Sequence, residues 1–348
     1  MTGICRKVLF IGSVSVFDND FRFRDALIMT IKANLPSGTD RAVRQPTDRS
    51  YVLISPCRNE ARYMRRTLDS VLGQSVPPAR WVIVDDGSTD ETAAILRDYA
   101  EAHPVITVVT RSDRGARAVG PGVIEAFYDG LNLVEVSNFP YLCKLDLDLD
   151  LPPDYFKRLI QRMEADPGLG SCSGKPYFRA PGGRRISEKC GDEMSVGMTK
   201  FYRTTCFEQI GGFARAVMWD GIDCHKGRQL GWRIRSWNEP DIRFEHLRPM
   251  GSSDTNVFKG RKRHGAGQYY MGSAPTYFVA TALYRMLHPP YVTGGFAMLV
   301  GYVEAALTRK PRHEDAKLRR FIRSYQRRAL FIGKKRAIAW QERNVRRT

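Results

Sequence analysis

The segment from Tyr51 to Val109 alternates between two hydrophobic patterns, and this alternation constrains the fold more than any other feature. Three apolar, β-branched runs are typical of buried strands: "YVLIS" (51–55), "RWVIVDDGS" (80–88) and "VITVV" (105–109). Between them, apolar residues recur at helical spacing. This order predicts an α/β fold with a mostly parallel, Rossmann-like sheet flanked by helices. Such sheets bind ligands at the carboxyl ends of their strands, where this chain has "SPCRNE" and "DDGSTD".

A run of alternating leucines and aspartates, "KLDLDLDLPPDYF" (144–156), predicts a further strand over 141–151. In a strand the leucines share one face and Asp146, Asp148 and Asp150 share the other, where like charges repel. An edge strand with a solvated acidic face is one interpretation. A site for Mg²⁺ or Mn²⁺ is the other, and we favour it because a divalent cation removes the repulsion.

The formal charge of +18 predicts attraction to anions, and most of the excess lies near the C-terminus. From Arg309 to Thr348 there are 15 Lys and Arg against 3 Asp and Glu, a net of 15 − 3 = +12. The seven cysteines form no C-x-x-C pair, which favours reduced thiols in a cytoplasmic protein. No apolar run reaches the roughly 20 residues that a membrane-spanning helix needs.

Five motifs in order resemble those of the family 2 glycosyltransferases, which have the GT-A fold. The motifs are "SPCRNEA" (55–61), "VIVDDGSTDET" (82–92), "LDLD" (145–148), "CFEQIGGF" (206–213) and "WDGIDCHKGRQLGWRI" (219–234). The match covers residues 50 to 250, which predicts a catalytic domain with a nucleotide-sugar half (50–150) and an acceptor half (151–250). The resemblance implies a metal-dependent, inverting glycosyltransferase whose donor is a nucleotide diphosphate sugar, usually UDP-linked.

The resemblance also implies roles for individual residues around the donor. The uracil and ribose pocket would be lined by Pro56, Asn59, Glu60, Asp85 and Asp86. Carboxylates there can accept hydrogen bonds from ribose hydroxyls and the uracil N–H. Arg114 and Arg117 are candidates for the diphosphate, with solvated surface charges as the alternative.

By the same resemblance, Asp148 would bind the metal directly, and Asp146 would hold the ribose or a metal-bound water. His246, in "FEHLRPMGS" (244–252), is a candidate near the diphosphate or metal, although an isolated histidine is more often structural. The cation would be Mn²⁺ or Mg²⁺.

The resemblance places the catalytic base at Asp220, preceded by Trp219 where the family usually has glutamate, and this departure keeps Asp223 as a rival base. A helix cap is the structural alternative for Asp220. Trp219 and Gly212 are candidates for acceptor binding, and core packing is the alternative for Trp219. In the implied reaction, Asp220 takes a proton from the acceptor hydroxyl as its oxygen attacks the anomeric carbon, and one displacement inverts that centre.

Residues 251–348 are expected to form a helical, basic extension. Two uncharged stretches (271–284 and 287–303) could pack on the catalytic domain or lie in a membrane surface. In "KLRRFIRSYQRRALFI" (317–332), an apolar stripe opposite arginines is typical of a helix on an anionic membrane, and equally of a helix packed on the core. We therefore expect a cytoplasmic protein that could sit on the inner face of the cell membrane, with a saccharide or lipid-linked acceptor. Residues 1–49 are expected to be a weakly structured leader.

Two other functions were weighed against this one. A nucleotidyltransferase also uses an α/β sheet and metal-binding carboxylates, but it normally has a Gly-rich basic loop where this chain has "SPCRNEA" (55–61). A non-enzymatic nucleic-acid-binding protein would use the basic tail, but it would leave the carboxylates at Asp85, Asp148 and Asp220 unexplained. No nucleic-acid partner is therefore expected.

Overall fold

The computed structural model describes residues 49–113, 115, 120–180, 182–188, 190–248, 257–288 and 290–345. The expected leader falls outside these residues except for Arg49, and Arg114 and Arg117 also lie outside them. In chain order, the first elements are β1 (Tyr51–Cys57), α1 (Met64–Leu72), β2 (Arg80–Asp85), α2 (Thr92–Ala102), β3 (Ile106–Thr110) and α3 (Pro121–Leu131). The predicted alternation of strands and helices is thus confirmed.

The middle of the chain supplies the remaining strands. They are β4 (Tyr141–Leu145), β5 (Leu149–Asp150), β6 (Leu169–Gly174), β7 (Pro176–Arg179), β8 (Arg185–Ser187), β9 (Thr199–Arg203), β10 (Arg233–Trp237) and β11 (Phe244–His246). Helices α4 (Tyr155–Ala165), α5 (Thr204–Gln209) and α6 (Trp219–Gln229) lie between them.

The main sheet has seven strands in the order β10-β6-β9-β4-β1-β2-β3. Strand β9 runs antiparallel to both of its neighbours, whereas the other pairings are parallel. The mostly parallel α/β sheet is therefore confirmed. A smaller four-stranded sheet, in the order β5-β11-β7-β8, lies beside the site described below.

The Leu-Asp run is two short strands rather than the single strand predicted. Strand β4 ends at Leu145 inside the main sheet, and β5 pairs with β11 in the smaller sheet. All four leucines of the run are buried, including Leu147 at 2% exposed, because the bend between the strands stays inside the core. The prediction failed because a period of two continues through the bend and gives no local signal for it. Asp146 and Asp148 consequently lie at the junction of two sheets.

The C-terminal extension is helical, as predicted. Its helices are α7 (Val257–Met271), α8 (Pro275–Met286), α9 (Thr293–Leu307), α10 (Ala316–Ile332) and α11 (Lys334–Val345). Within the described part of the chain, no helix is both long and apolar enough to cross a membrane.

Helix α10 carries the apolar stripe that the sequence left open between membrane and core. The stripe faces the protein interior: Leu318 and Ile322 are buried against Ile222 of α6 and Met271 of α7. Asp315 caps this helix by accepting a hydrogen bond from the backbone N–H of Leu318 (2.8 Å). The packed interpretation of this stripe therefore fits the structure.

Candidate active site

The carboxyl ends of β1, β2 and β4 converge on one edge of the main sheet, as parallel strands require. Cys57 of β1 pairs in register with Asp85 of β2, and β1 also pairs with β4, which leads into Asp146. The predicted donor residues that the structure describes therefore lie at one edge of the sheet. Pro56 lies within β1, between two buried neighbours.

A turn after β1 and a turn after β2 hold each other through side-chain hydrogen bonds. Asn59 adopts a positive φ of 54°, which suits asparagine, and its side-chain oxygen accepts a bond from the Thr89 N–H (2.8 Å). The Asp85 carboxylate accepts bonds from both the N–H (2.9 Å) and the hydroxyl of Ser88. Its second oxygen, Oδ2, is buried with no hydrogen-bond partner among the described residues. One acceptor atom of Asp85 is thus left for a ligand.

Two arginines contact Asp86, one through its carboxylate and the other through its backbone carbonyl. Arg111 pairs with the Asp86 carboxylate at 2.9 Å, and Arg58 donates to the Asp86 carbonyl oxygen at 2.6 Å. Arg58 also pairs with Asp113 (2.7 Å). These contacts fix the backbone around the second acidic residue of the "DDGS" motif.

Asp148 and His246 lie side by side where the two sheets meet. The His246 Nε2 is 3.4 Å from Asp148 Oδ2, and its Nδ1 is 2.6 Å from the Glu188 carboxylate. Burial opposes charge on His246, but the hydrogen bonds with Asp148 and Glu188 outweigh it and raise the pKa of His246 to about 9, so a bound cation would have to displace the proton on Nε2. Burial also disfavours an ionised Asp148, yet His246 and Arg248 together lower the pKa of Asp148 to about 2.

These residues fit a divalent cation. The Asp148 Oδ1 is buried and has no hydrogen-bond partner among the described residues, so it can accept a metal. Glu188 holds the far nitrogen of His246, an arrangement typical of metal-binding histidines. No cluster of three or more His, Cys, Asp or Glu in metal-binding geometry occurs within the described residues. Mg²⁺ and Mn²⁺ commonly use one or two protein ligands together with substrate phosphates, which matches this pair.

Arg248 joins the donor and metal parts of the site, and the sequence analysis did not single it out. Its guanidinium contacts Asp148 and Glu60, each at 2.6 Å, and burial is outweighed by these two carboxylates so that the pKa of Arg248 is raised. A sequence signal was present, because Arg248 follows His246 by only two residues, although β11 ends at His246. Glu188 gave no such signal, since it lies 58 residues from its partner.

Asp220 lies in the first turn of α6 and does not cap that helix. The N-cap residue is Met218, in a left-handed conformation, and no side chain caps the helix. Asp220 Oδ2 lies 3.0 Å from the position that a Cβ on Gly197 would occupy. Gly197 also accepts a hydrogen bond from Lys144 (3.1 Å), and Lys144 pairs with Asp146. Asp220 and Asp146 therefore border the same segment of backbone.

The carboxylate of Asp223, the rival base, is already bound to neighbouring side chains. Its carboxylate pairs with Lys200 and accepts a hydrogen bond from the Tyr202 hydroxyl, and both Asp223 and Lys200 side chains are 0% exposed. Burial works against the charge on Lys200, but the negative charge of Asp223 outweighs it and raises the pKa of Lys200. Asp223 is thus poorly placed to take a proton from an incoming hydroxyl.

The two residues suggested for acceptor binding are both packed in the protein. Trp219 is 8% exposed, its ring centroid is 4.7 Å from that of Phe213, and Lys144 and Lys200 lie 5.3 and 5.6 Å from the ring. A Cβ on Gly212 would lie 2.3 Å from the Tyr128 hydroxyl, so this close approach explains the glycine. The environment of Trp219 is that of a core residue.

Comparison with known proteins gives a family match for residues 52–216, which contain part of this site. The model of Glycosyl transferase family 2 matches residues 52–216. Poly-beta-1,6-N-acetyl-D-glucosamine synthase of Staphylococcus epidermidis is 32% identical over 124 residues, which are 35% of this chain and 27% of that protein. The same-named protein of Staphylococcus aureus strain COL is 31% identical over the same length. The chain thus spans about a quarter of the length of the curated relatives it matches.

Two solved structures are similar over most of the chain. One is mannosyltransferase PcManGT from Pyrobaculum calidifontis in complex with GDP-Man and Mn²⁺, with 18% identity, a TM-score of 0.46 and 93% coverage of both chains. The other is S. aureus TarS 1-349 with UDP-GlcNAc, with 14% identity, a TM-score of 0.47 and coverage of 85% and 90%. From the family match and the relatives together, residues 52–216 of this chain form a region similar to the family 2 glycosyltransferases.

Proposed function

We propose that this protein transfers a sugar from a nucleotide diphosphate sugar to an acceptor hydroxyl, with inversion at the anomeric carbon. The observation that carries the proposal is the placement of Asp148 and Asp220. Asp148 offers a buried oxygen with no hydrogen-bond partner in the described chain, next to His246. Asp220 presents a carboxylate that no described residue hydrogen-bonds, beside the segment that also contacts Lys144.

The donor would lie along the carboxyl ends of β1 and β2. The buried Oδ2 of Asp85 would accept a hydrogen bond from the nucleoside, and the turn that carries Asn59 and Glu60 would close over the base. We propose UDP as the nucleotide. The N-acetylglucosamine in the relatives' name makes UDP-N-acetylglucosamine the first donor to test.

Asp148 and His246 would hold Mn²⁺ or Mg²⁺. That cation, when bound, supplies positive charge to the diphosphate as the sugar departs. Arg248 is the described cation nearest to this point, because it already contacts both Asp148 and Glu60. We propose that it turns from these carboxylates toward the diphosphate when the donor binds. Arg114 and Arg117 remain candidates for the same task.

Asp220 would act as the general base. Its carboxylate would accept the proton of the acceptor hydroxyl while the oxygen attacks the anomeric carbon from the side opposite the diphosphate. Asp223 would instead hold Lys200, whose ammonium group donates to the Asp220 carbonyl oxygen at 2.7 Å and so fixes the first turn of α6. The acceptor class we propose is a saccharide or a lipid-linked saccharide, in polysaccharide or glycoconjugate synthesis at the inner membrane surface.

The assignment of the base can be tested without knowing the acceptor, because water can take the acceptor's place. The assay is the slow hydrolysis of UDP-N-acetylglucosamine in the presence of Mn²⁺, followed by the release of UDP. We expect Asp220→Asn to lower the rate about 10²–10⁴-fold, the usual contribution of general-base catalysis. Its thermal unfolding should match that of the wild type. A variant that keeps the wild-type rate would rule out Asp220 as base. GDP-mannose serves as the second donor, so that failure with UDP alone is not mistaken for failure of the transferase assignment.

A further inference from the structure

Helices α8 and α9 form an antiparallel hairpin that is held to the rest of the protein by glycine contacts. A Cβ on Gly295 would lie 2.2 Å from the Ala282 carbonyl oxygen, so the two helices approach as closely as their backbones allow. A Cβ on Gly301 would lie 1.9 Å from the Lys262 carbonyl oxygen of α7. Close backbone packing therefore fixes α9 against α8 and against α7. The opposite face of the hairpin makes neither of these contacts.

The outer face of this hairpin is apolar and exposed. Residues 286–303 contain no Lys, Arg, Asp or Glu. The exposed large apolar residues of the two helices and their turn are Val279, Leu283, Tyr284, Leu287, Tyr291, Val292, Phe296, Val303 and Leu307. Val279, Leu283 and Leu287 follow one another at four-residue spacing, which puts them on one side of α8 and its end. Contiguous exposed apolar surface of this kind marks an interaction site.

The turn between the helices is the most exposed part of this surface, and we name Leu287, Tyr291 and Val292 the hairpin tip. Their side chains are 72%, 65% and 61% exposed. Val292 has a φ of 55°, which is strained for a β-branched residue, and the N–H of Thr293 bonds to the Tyr291 carbonyl across it. The chain thus keeps a strained turn that presents apolar side chains to solvent.

Two arginines flank the tip. Arg285 lies in the last turn of α8. Arg261 of α7 lies at the start of α9, since a Cβ on Gly294 would be 3.9 Å from its Nε and 3.3 Å from Pro290. Burial and the nearby charge of Arg285 lower the pKa of Arg261, which shows that the two charges share a neighbourhood. No described carboxylate forms an ion pair with either arginine. The base of the tip is therefore positively charged and not neutralised by the described chain.

We propose that the hairpin tip docks the protein on an anionic lipid bilayer, with Leu287, Tyr291 and Val292 in the interfacial region and Arg261 and Arg285 at the headgroups. Apolar side chains at the end of a rigid hairpin, tyrosines and adjacent uncompensated arginines together match the chemistry of that interface. A protein partner would not require this combination. The surface is distinct from the basic helix α10, whose stripe is packed inside the protein.

Vesicle co-sedimentation tests the proposal on the full chain, with phosphatidylcholine vesicles that contain or lack phosphatidylglycerol. We expect the wild type to bind the anionic vesicles. Leu287→Ser, Tyr291→Ser and Val292→Ser combined should weaken that binding at least tenfold, since each removes an exposed apolar side chain that the bilayer would bury. Arg261→Gln and Arg285→Gln should each weaken it roughly fivefold, which corresponds to about 1 kcal/mol per charge near an anionic surface.

A matched control removes three exposed apolar residues from another part of the chain. Leu330, Phe331 and Ile332 at the end of α10 are 41%, 87% and 42% exposed, and their combined replacement by Ser should leave vesicle binding unchanged. Thermal unfolding of each variant checks that the fold is kept, and Leu287→Glu alone provides a second, smaller perturbation of the tip. The proposal is overturned if the wild type does not bind, if the control loses as much as the tip variant, or if the tip variants bind normally. The proposal is also overturned if the wild type is a dimer in solution and the tip variants are monomers, because the hairpin tip would then be a contact between two copies of the chain. UDP release by the tip variants is read separately, so loss of docking and failure of the proposed reaction are distinguishable.

Discussion

Removal of the Asp223 carboxylate decides whether this residue supports the fold or the chemistry. Asp223→Leu leaves the Lys200 ammonium group in a site where its side chain is 0% exposed and its ion-pair partner is gone. Breaking a buried pair from one side typically costs about 3–5 kcal/mol. Domains are stable by only about 5–15 kcal/mol, so the variant should lose about a fifth or more of its stability. The expected fall in melting temperature is roughly 6 °C or more.

Urea unfolding followed by tryptophan fluorescence measures this loss, and a double-mutant cycle provides the control. Lys200→Met combined with Asp223→Leu removes both charges. The loss of unfolding free energy in the double variant should therefore be at least about 2 kcal/mol smaller than the sum of the losses in the two single variants. The folded fraction of each variant should still bind nucleotide, because both side chains are fully buried and paired with each other. Asp223 would not be a structural residue if Asp223→Leu costs less than about 1 kcal/mol, or if the two losses of stability simply add.

Three further predictions concern other parts of the structure. Gly301→Ala should destabilise the extension by about 1–3 kcal/mol in urea unfolding, since its new Cβ would lie 1.9 Å from the Lys262 carbonyl oxygen; an unchanged midpoint would contradict the packing of α7 on α9. Burial and the charge of Arg261 lower the pKa of His264 to about 4. Between about pH 4 and 6.5, His264 is therefore protonated in the unfolded chain and neutral in the folded chain. Stability from this group is complete above about pH 6.5 and is lost as the pH falls toward 4, and His264→Gln should flatten that slope in urea midpoints measured across the range. Glu188→Gln should weaken Mn²⁺-dependent nucleotide binding about 10–100-fold by calorimetry, whereas the exposed control Glu208→Gln should not.

The sheet could be predicted because its signals are local. Each strand from Tyr51 to Thr110 is a short apolar run, and each helix between them repeats its apolar residues at helical spacing, so element type and order followed directly. The bend at Asp146 could not be predicted in this way. The alternation of Leu and Asp continues unchanged from one sheet into the other, and only the pairing of β5 with β11, about 100 residues later, breaks the strand.

The same distinction applies to the site: residues in recognisable motifs could be predicted, and contacts between residues far apart in the sequence could not. Asp85 could be placed at the site because its strand ends at that edge of the sheet, whereas Asp148 and His246 were candidates through the family resemblance. Glu188 escaped notice because its contact with His246 spans 58 residues. The choice between Asp220 and Asp223 also depended on a distant strand, since Lys200 of β9 is what occupies Asp223.

Titration calorimetry of UDP, with and without Mn²⁺, tests the central claim most directly. The account predicts that the wild type binds UDP far more tightly when Mn²⁺ is present. Asp148→Ala should abolish that gain, while Asp220→Asn should bind as the wild type does, because in the proposed reaction Asp220 acts on the acceptor and not on the donor. Binding of UDP that ignores both Mn²⁺ and the Asp148→Ala change would contradict the account, as would the absence of binding to both UDP and GDP under either condition.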